Sequence, residues 1–150
     1  MLIKEQKQNK NRKTTMFTGE KMAVSKIDEF SKERERLNDI VMKGANPITK
    51  RFYSLDNQTY RDGALPARTK ELLGLVASFV LRCDDCIKYH LILCHELGYS
   101  GKEIREALNV GMVIGGTITI PHLRHAMETW SELEKKENDD DKEDNEQGRG

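Results

Sequence analysis

Residues 67–81 constrain this chain more than any other stretch. Leu72, Leu73, Leu75, Val76, Phe79, Val80 and Leu81 recur at helical spacing and cover more than half of a helix's circumference. A helix apolar over so wide an arc has to sit among other helices, so the segment predicts the central element of an all-α domain. Leu65-Pro66 ahead of it places proline near a first-turn position, where its missing N–H costs little.

The flanking segments read the same way. From Lys26 onward Ile27, Phe30, Leu37, Ile40 and Val41 fall largely on one face, with Ser25 as N-cap and Gly44 before Asn46-Pro47 as a stop. A weaker helical piece covers 47–60, with Ile48, Phe52, Tyr53 and Leu55 as its apolar set, and Arg61-Asp62-Gly63 breaks it. A helix runs from about Cys83 to Leu97, with Gly98 at the position where a left-handed residue is wanted. Ser100 and Glu103 form a capping box for the next helix, which carries Ile104, Ala107, Leu108 and Val110 and ends near Gly115-Gly116. That glycine pair fits either a close helix approach or a simple break. Thr117 to Ile120 has strand propensity, but Pro121 would spoil a central strand. Leu123, Ala126, Met127, Trp130 and Leu133 then return to helical spacing, so 117–133 is expected as helix.

Composition matters for the ends. The chain carries 25 Lys+Arg and 25 Asp+Glu, which argues against a whole-protein electrostatic grip on nucleic acid or anionic lipid. The charges are unevenly spread: 1–26 has a net charge of +5 and 134–150 a net charge of −4. Neither end has the apolar periodicity needed to offset chain entropy. The expected organisation is a disordered extension over 1–25, one domain over 26–133 and a disordered acidic tail over 134–150. Met16 and Met22 are possible alternative starts, and the stretch before Met22 is left out of the fold reasoning. The longest near-apolar run, Val110 to Ile120, is far short of a membrane span. The basic start has no hydrophobic segment behind it. All three cysteines lie between 83 and 94, which is not a stapled secreted scaffold. A reducing cytoplasm is the expected location, with no nucleic-acid and no membrane partner.

Chemistry concentrates in one place. Cys83-Asp84-Asp85-Cys86 is followed by His90, Cys94 and His95; on a helix 83, 86, 90 and 94 share one face. A helix N-terminus stabilises a thiolate through its unpaired N–H groups and dipole. One thiolate of such a pair attacks an oxidised substrate, and its neighbour resolves the adduct as a disulfide. An imidazole one turn on can accept or return the proton. Other readings stay open from the residues alone. The cysteines could be buried packing residues, or His90 a satisfied core histidine. Cys83, Cys86 and His90 with Cys94 or His95 could ligate zinc, although zinc sites draw on separated ligand pairs more than on one straight helix. Cys94 is expected in the core and His95 at the surface or in a helix contact. Glu71 lies twelve residues before Cys83, about 18 Å along a helix. A tight antiparallel hairpin would set it nearer 90–95 than the thiols, so Glu71 is expected to act through His90. The bland alternative is an ordinary first-turn acid.

The spacing of Glu71, Cys83, Cys86 and His90 resembles the E-x11-CxxC-x3-H motif of the alkylhydroperoxidase D-like branch of the carboxymuconolactone decarboxylase family. The resemblance extends through Gly63 to Leu72 before it, and through Gly98 to Ile104 and Gly115-Gly116 after it, covering roughly 27–133. It implies an all-α alkylhydroperoxidase D-like helical domain with the CxxC at a helix N-terminus. It also implies a homo-oligomer, often a trimer or hexamer. The implied activity is reduction of a peroxide or disulfide by a cysteine pair resupplied by an external thiol reductant, without an organic cofactor or metal. By position Cys86 resembles the attacking cysteine, Cys83 its resolving partner, and Glu71 with His90 the proton relay. In the best-studied type of family member histidine precedes the second cysteine, where this chain has Asp85. Asp84 and Asp85 repel a thiolate, so slow peroxide turnover is expected, with thiol–disulfide exchange less affected. The rival functions are a carboxymuconolactone decarboxylase-like lyase and a non-catalytic helical assembly protein.

Lys4, Lys7, Lys10, Arg12 and Lys13 read as a solvated terminus and not as a nucleic-acid arm. Asp139-Asp140-Asp141 lacks the spaced ligands and turn glycine of a calcium loop. His122, Arg124 and His125 are expected at a cleft or, preferably, a subunit contact, and not in catalysis.

Overall fold

The computed structural model of the chain describes residues 25–147, with side chains through 138. The basic N-terminal run falls outside the described residues, as do the side chains of Asp139 to Asp141. Within the described range the regular structure is helical: α1 (Lys26–Lys43), α2 (Pro47–Thr59), α3 (Ala67–Val80), α4 (Asp84–Glu96), α5 (Gly101–Gly115), a 3₁₀ turn (Thr117–Thr119) and α6 (Ile120–Gln147). The chain divides into two compact units, one up to Arg61 and one from Asp62.

In the first unit Ser25 is the N-cap read from the sequence, and Asn46, read as part of a stop, proves to be the cap of the next helix. The Ser25 side chain accepts from the N–H groups of Ile27 and Asp28, and Asn46 caps α2 through the N–H of Thr49. Tyr53 Oη donates to Asn38 Oδ1 at 3.4 Å, tying α2 to α1. The apolar sets behave otherwise than a buried face would. Leu37, Ile40, Val41, Ile48, Phe52 and Leu55 are exposed, and α2 has no buried residue.

The second unit carries the core. α3 packs against α4 and α5, and α4 packs against α6. Leu75 and Phe79 of α3 are fully buried, as are Leu91 of α4 and Ile104 and Leu108 of α5, with Ala126 and Trp130 of α6 nearly so. Burying side chains of this size stabilises by about 1.5–3 kcal/mol each. The expected central place of α3 is borne out, with one stripe of it sealed while Leu73 and the C-cap residue Leu81 are exposed. Gly111 of α5 lets that helix close on α3, because a Cβ there would lie 2.7 Å from the Phe79 ring.

The C-terminal end of α4 closes with a Schellman motif in which Tyr99 N–H donates to the Cys94 carbonyl and Gly98 N–H to the His95 carbonyl. The Ser100–Glu103 capping box is fully formed at the start of α5. The break after α5 comes from Gly116, whose φ of +75° and extended ψ end the helix before the 3₁₀ turn. Helix from 117 onward is thus 3₁₀ for its first turn and α only from Ile120, with Pro121 accommodated at the start of α6.

α6 also runs on to Gln147, into the acidic segment where the apolar spacing gives no reason for a helix. Polar contacts account for its first turns. Trp130 Nε1 donates to Glu134 Oε1 at 2.7 Å, His95 Nε2 lies 3.2 Å from Glu137 Oε2, and Asn138 Nδ2 donates to the Glu134 carbonyl. Such contacts leave no hydrophobic period for a sequence reader to find.

Candidate functional site

The connection between α3 and α4 is only three residues long, and its geometry follows from another Schellman motif. Cys83 N–H donates to the Ser78 carbonyl and Arg82 N–H to the Phe79 carbonyl, each at 3.1 Å. The left-handed position of that motif is occupied not by glycine but by Arg82, with φ of 61°. A side chain costs about 1–2 kcal/mol in that conformation. The motif turns the chain back so that Cys83 becomes the N-cap of α4, with Asp84 and Asp85 in the first turn.

Cys83 and Cys86 are joined as a disulfide, with Cα atoms 5.3 Å apart. Cys83 is half-buried and Cys86 exposed. One turn further along α4, His90 is buried, and its Nδ1 lies 2.8 Å from Oε2 of Glu71, itself buried on the neighbouring helix α3. The antiparallel hairpin thus sets Glu71 against His90 and not against the sulfurs. A carboxylate can only accept, so the proton in this contact belongs on Nδ1 and Nε2 becomes the ring's acceptor. Tyr89 stacks edge-on to the His90 ring at 5.4 Å between centroids and helps to fix its plane.

The third cysteine is in a different world. Cys94 has no exposed surface, and burial, aided by the nearby Glu71 charge, pushes its thiol up to about 12. A thiol so far from ionising is a poor nucleophile and a poor metal ligand. His95 is the expected helix-contact residue, packing edge-on to Trp130 at 5.3 Å. Among the described residues no group of three or more His, Cys, Asp or Glu is arranged to hold a metal ion. None of the described helices is long and apolar enough to cross a membrane.

Two neighbours of the pair were not legible from spacing. His122, at the start of α6, places Nδ1 2.7 Å from Asp84 Oδ1. The sequence separation of 38 carries no local signal, and only the packing of α6 on α4 reveals the contact. The left-handed Arg82 is likewise invisible, because an arginine before a helix suggests nothing unusual. Arg124 and His125 are exposed. On the far side of the unit, Arg68 lies over the Tyr99 ring at 4.0 Å and pairs with Glu103 at 3.3 Å, a surface clasp between the start of α3 and the start of α5.

Comparison with known proteins bears on the whole arrangement. Residues 47–129 match the model of the carboxymuconolactone decarboxylase family. A Thermotoga maritima protein, solved as two crystal structures, is 50% identical, with TM-scores of 0.73 and 0.71. The matches cover 74% of this chain and 97% or 94% of that one. One description calls that protein a family member with a suggested involvement in antioxidative response. A Legionella pneumophila family member in its apo form is 25% identical with a TM-score of 0.65, over 72% of this chain and 96% of that one. Protein 4 of the cox locus in Paracoccus denitrificans is 28% identical over 83 residues, which is 55% of this chain and 75% of that protein.

Proposed function

The chain belongs to the carboxymuconolactone decarboxylase family, and from that premise we propose that it is a thiol-dependent oxidoreductase of the alkylhydroperoxidase D-like branch. The observation that carries the reading is the Cys83–Cys86 disulfide at the N-terminus of α4, open at Cys86, with the buried Glu71–His90 pair one turn behind it. The antioxidative description of the Thermotoga maritima relative points the same way.

In this reading His90, oriented by Glu71, removes the proton from Cys86. The Cys86 thiolate attacks the terminal oxygen of a peroxide. The O–O bond breaks, the departing alkoxide takes up the proton and leaves as an alcohol, and Cys86 becomes a sulfenic acid. Cys83 then attacks that sulfur; the S–O bond breaks, water leaves and the disulfide forms. An external dithiol returns two electrons and two protons by exchange through a mixed disulfide. With a disulfide as substrate the same pair works by exchange alone. The helix N-terminus favours a thiolate by about 0.3–1 kcal/mol, and Asp84 and Asp85 oppose that gain by like-charge repulsion, so exchange should outpace peroxide turnover.

The same reading places the protein in a reducing cytoplasm and as an assembly of identical chains. The exposed apolar residues of α1 and α2 in the first unit, and Val110, Val113, Ile114 and Ile118 in the second, are surfaces that such an assembly would cover. Light scattering at micromolar concentration is expected to give a multiple of the chain mass.

The functional test is peroxide consumption with dithiothreitol as donor. The wild type is expected to turn over, and Cys86→Ser to abolish turnover. Full activity in Cys86→Ser would overturn the proposal, and lactone turnover surviving alkylation of both cysteines would favour a lyase.

A further inference from the structure

The fold holds a second carboxylate–imidazole contact beside the redox pair, one that the relay through His90 does not use. His122 Nδ1 lies 2.7 Å from Oδ1 of Asp84, the first residue of α4. The histidine side chain is 20% exposed and the aspartate 46%, so the contact is partly sheltered from water at the histidine and more open at the aspartate. Because an ionised carboxylate only accepts, Nδ1 carries the proton and donates it to Asp84. A bond of this kind draws the carboxylate's charge toward its donor and fixes where the carboxylate points.

The position gives that contact a consequence. Asp84 directly follows Cys83, and Asp85 directly precedes Cys86. Uncompensated, both carboxylates repel a thiolate at either sulfur. Arg82, next to Cys83, and Lys88, one turn on, are the nearby cations along the chain. Asp84 is distinguished from Asp85 by a partner that arrives from another helix.

We infer that His122 is a positioning residue for the redox pair: by holding the Asp84 carboxylate it weakens the repulsion of the thiolates and raises the reactivity of the reduced cysteines. The inference rests on the thiol reading of the site and adds a residue to it. Below the thiol pKa, a lower pKa speeds attack, because thiolate fraction grows faster than intrinsic nucleophilicity falls.

The test is a double-mutant cycle on the reduced full-length protein, reading iodoacetamide alkylation of Cys83 and Cys86 at neutral pH by peptide mass spectrometry. Asp84→Asn should raise the rate about two- to fivefold, and His122→Ala should lower it by a similar factor, as expected for one charge acting across a water-accessible site. In the Asp84→Asn background, His122→Ala should change the rate by less than about 1.5-fold, because the charge it governs is gone. His122→Asn, which keeps a donor near the Nδ1 position, should stay within about twofold of the wild type. Equal slowing by His122→Ala in both backgrounds would mean a packing role and overturn the inference. No slowing in either background would overturn it as well. Both results leave the thiol reading standing if the wild-type pair still cycles with dithiothreitol. A wild-type pair that neither alkylates nor re-forms its disulfide removes the thiol reading, and this inference falls with it.

Discussion

The two ends of α4 carry the same residue type in opposite circumstances. At its N-terminus Cys83 and Cys86 sit on the first turn of a helix, reachable from outside and joined to each other. At its other end Cys94 is fully buried, its thiol pushed up to about 12. Eight residues along one helix separate a sulfur joined in a disulfide from a sulfur that serves as a small hydrophobe. The difference teaches that the backbone end and the solvent decide what a cysteine does, while the residue type only permits it.

The sharpest way to break that contrast is to remove a sulfur from each end. Cys86→Ser is expected to abolish peroxide consumption, whereas Cys94→Ala should keep it within about twofold of the wild type while costing on the order of 1 kcal/mol of stability. Activity counts with dithiothreitol as donor and urea melts of both variants decide it. A weaker intervention tests how the open end is activated. Glu71→Gln keeps the shape of the pair with His90 and removes the carboxylate. It is expected to lower the peroxide rate about 100-fold with the helical content by circular dichroism unchanged.

The sealed end has its own signature in pH. The unfolded thiol ionises near 9.0, whereas the folded Cys94 holds its proton to about 12. Stability from this group is therefore fully present below the unfolded value and is lost as pH rises toward the folded one. Between pH 8 and 10.5 the wild type should lose about 2 kcal/mol more than Cys94→Ala in urea titrations. The smallest effect concerns the junction that presents the open end. Arg82→Gly relieves the left-handed strain, and should stabilise the domain by about 1 kcal/mol. It also removes a cation beside Cys83, so thiol alkylation should slow.

Much of this was written in short-range patterns. The N-caps Ser25 and Ser100, the stop at Gly98 and the stripe Leu75–Phe79 each depend on residues within a turn or two, and each reads directly from the sequence. The Glu71–His90 contact was also accessible, because one helix length and a tight hairpin are enough to predict which residues meet. The rest depends on tertiary packing. His122 meets Asp84 only once α6 lies along α4, and Arg82 is left-handed only because the α3–α4 connection is so short. Just past the hydrophobic period of α6, Glu134 and Glu137 meet Trp130 and His95, contacts that no apolar spacing announces. The apolar sets read on one face of α1 and on α2 are largely exposed in the single chain, Ile27 excepted, since periodicity specifies that a face wants covering and not what covers it.

The central claim is that the sulfurs at the N-terminus of α4 alone exchange electrons. Differential alkylation before and after one equivalent of peroxide, followed by peptide mass spectrometry, tests it most directly. The account predicts that peroxide protects Cys83 and Cys86 together as a disulfide that dithiothreitol reverses, with Cys94 unmodified until the protein is unfolded. Peroxide-treated protein in which Cys83 and Cys86 remain free thiols, or in which Cys94 is the sulfur oxidised, would contradict it.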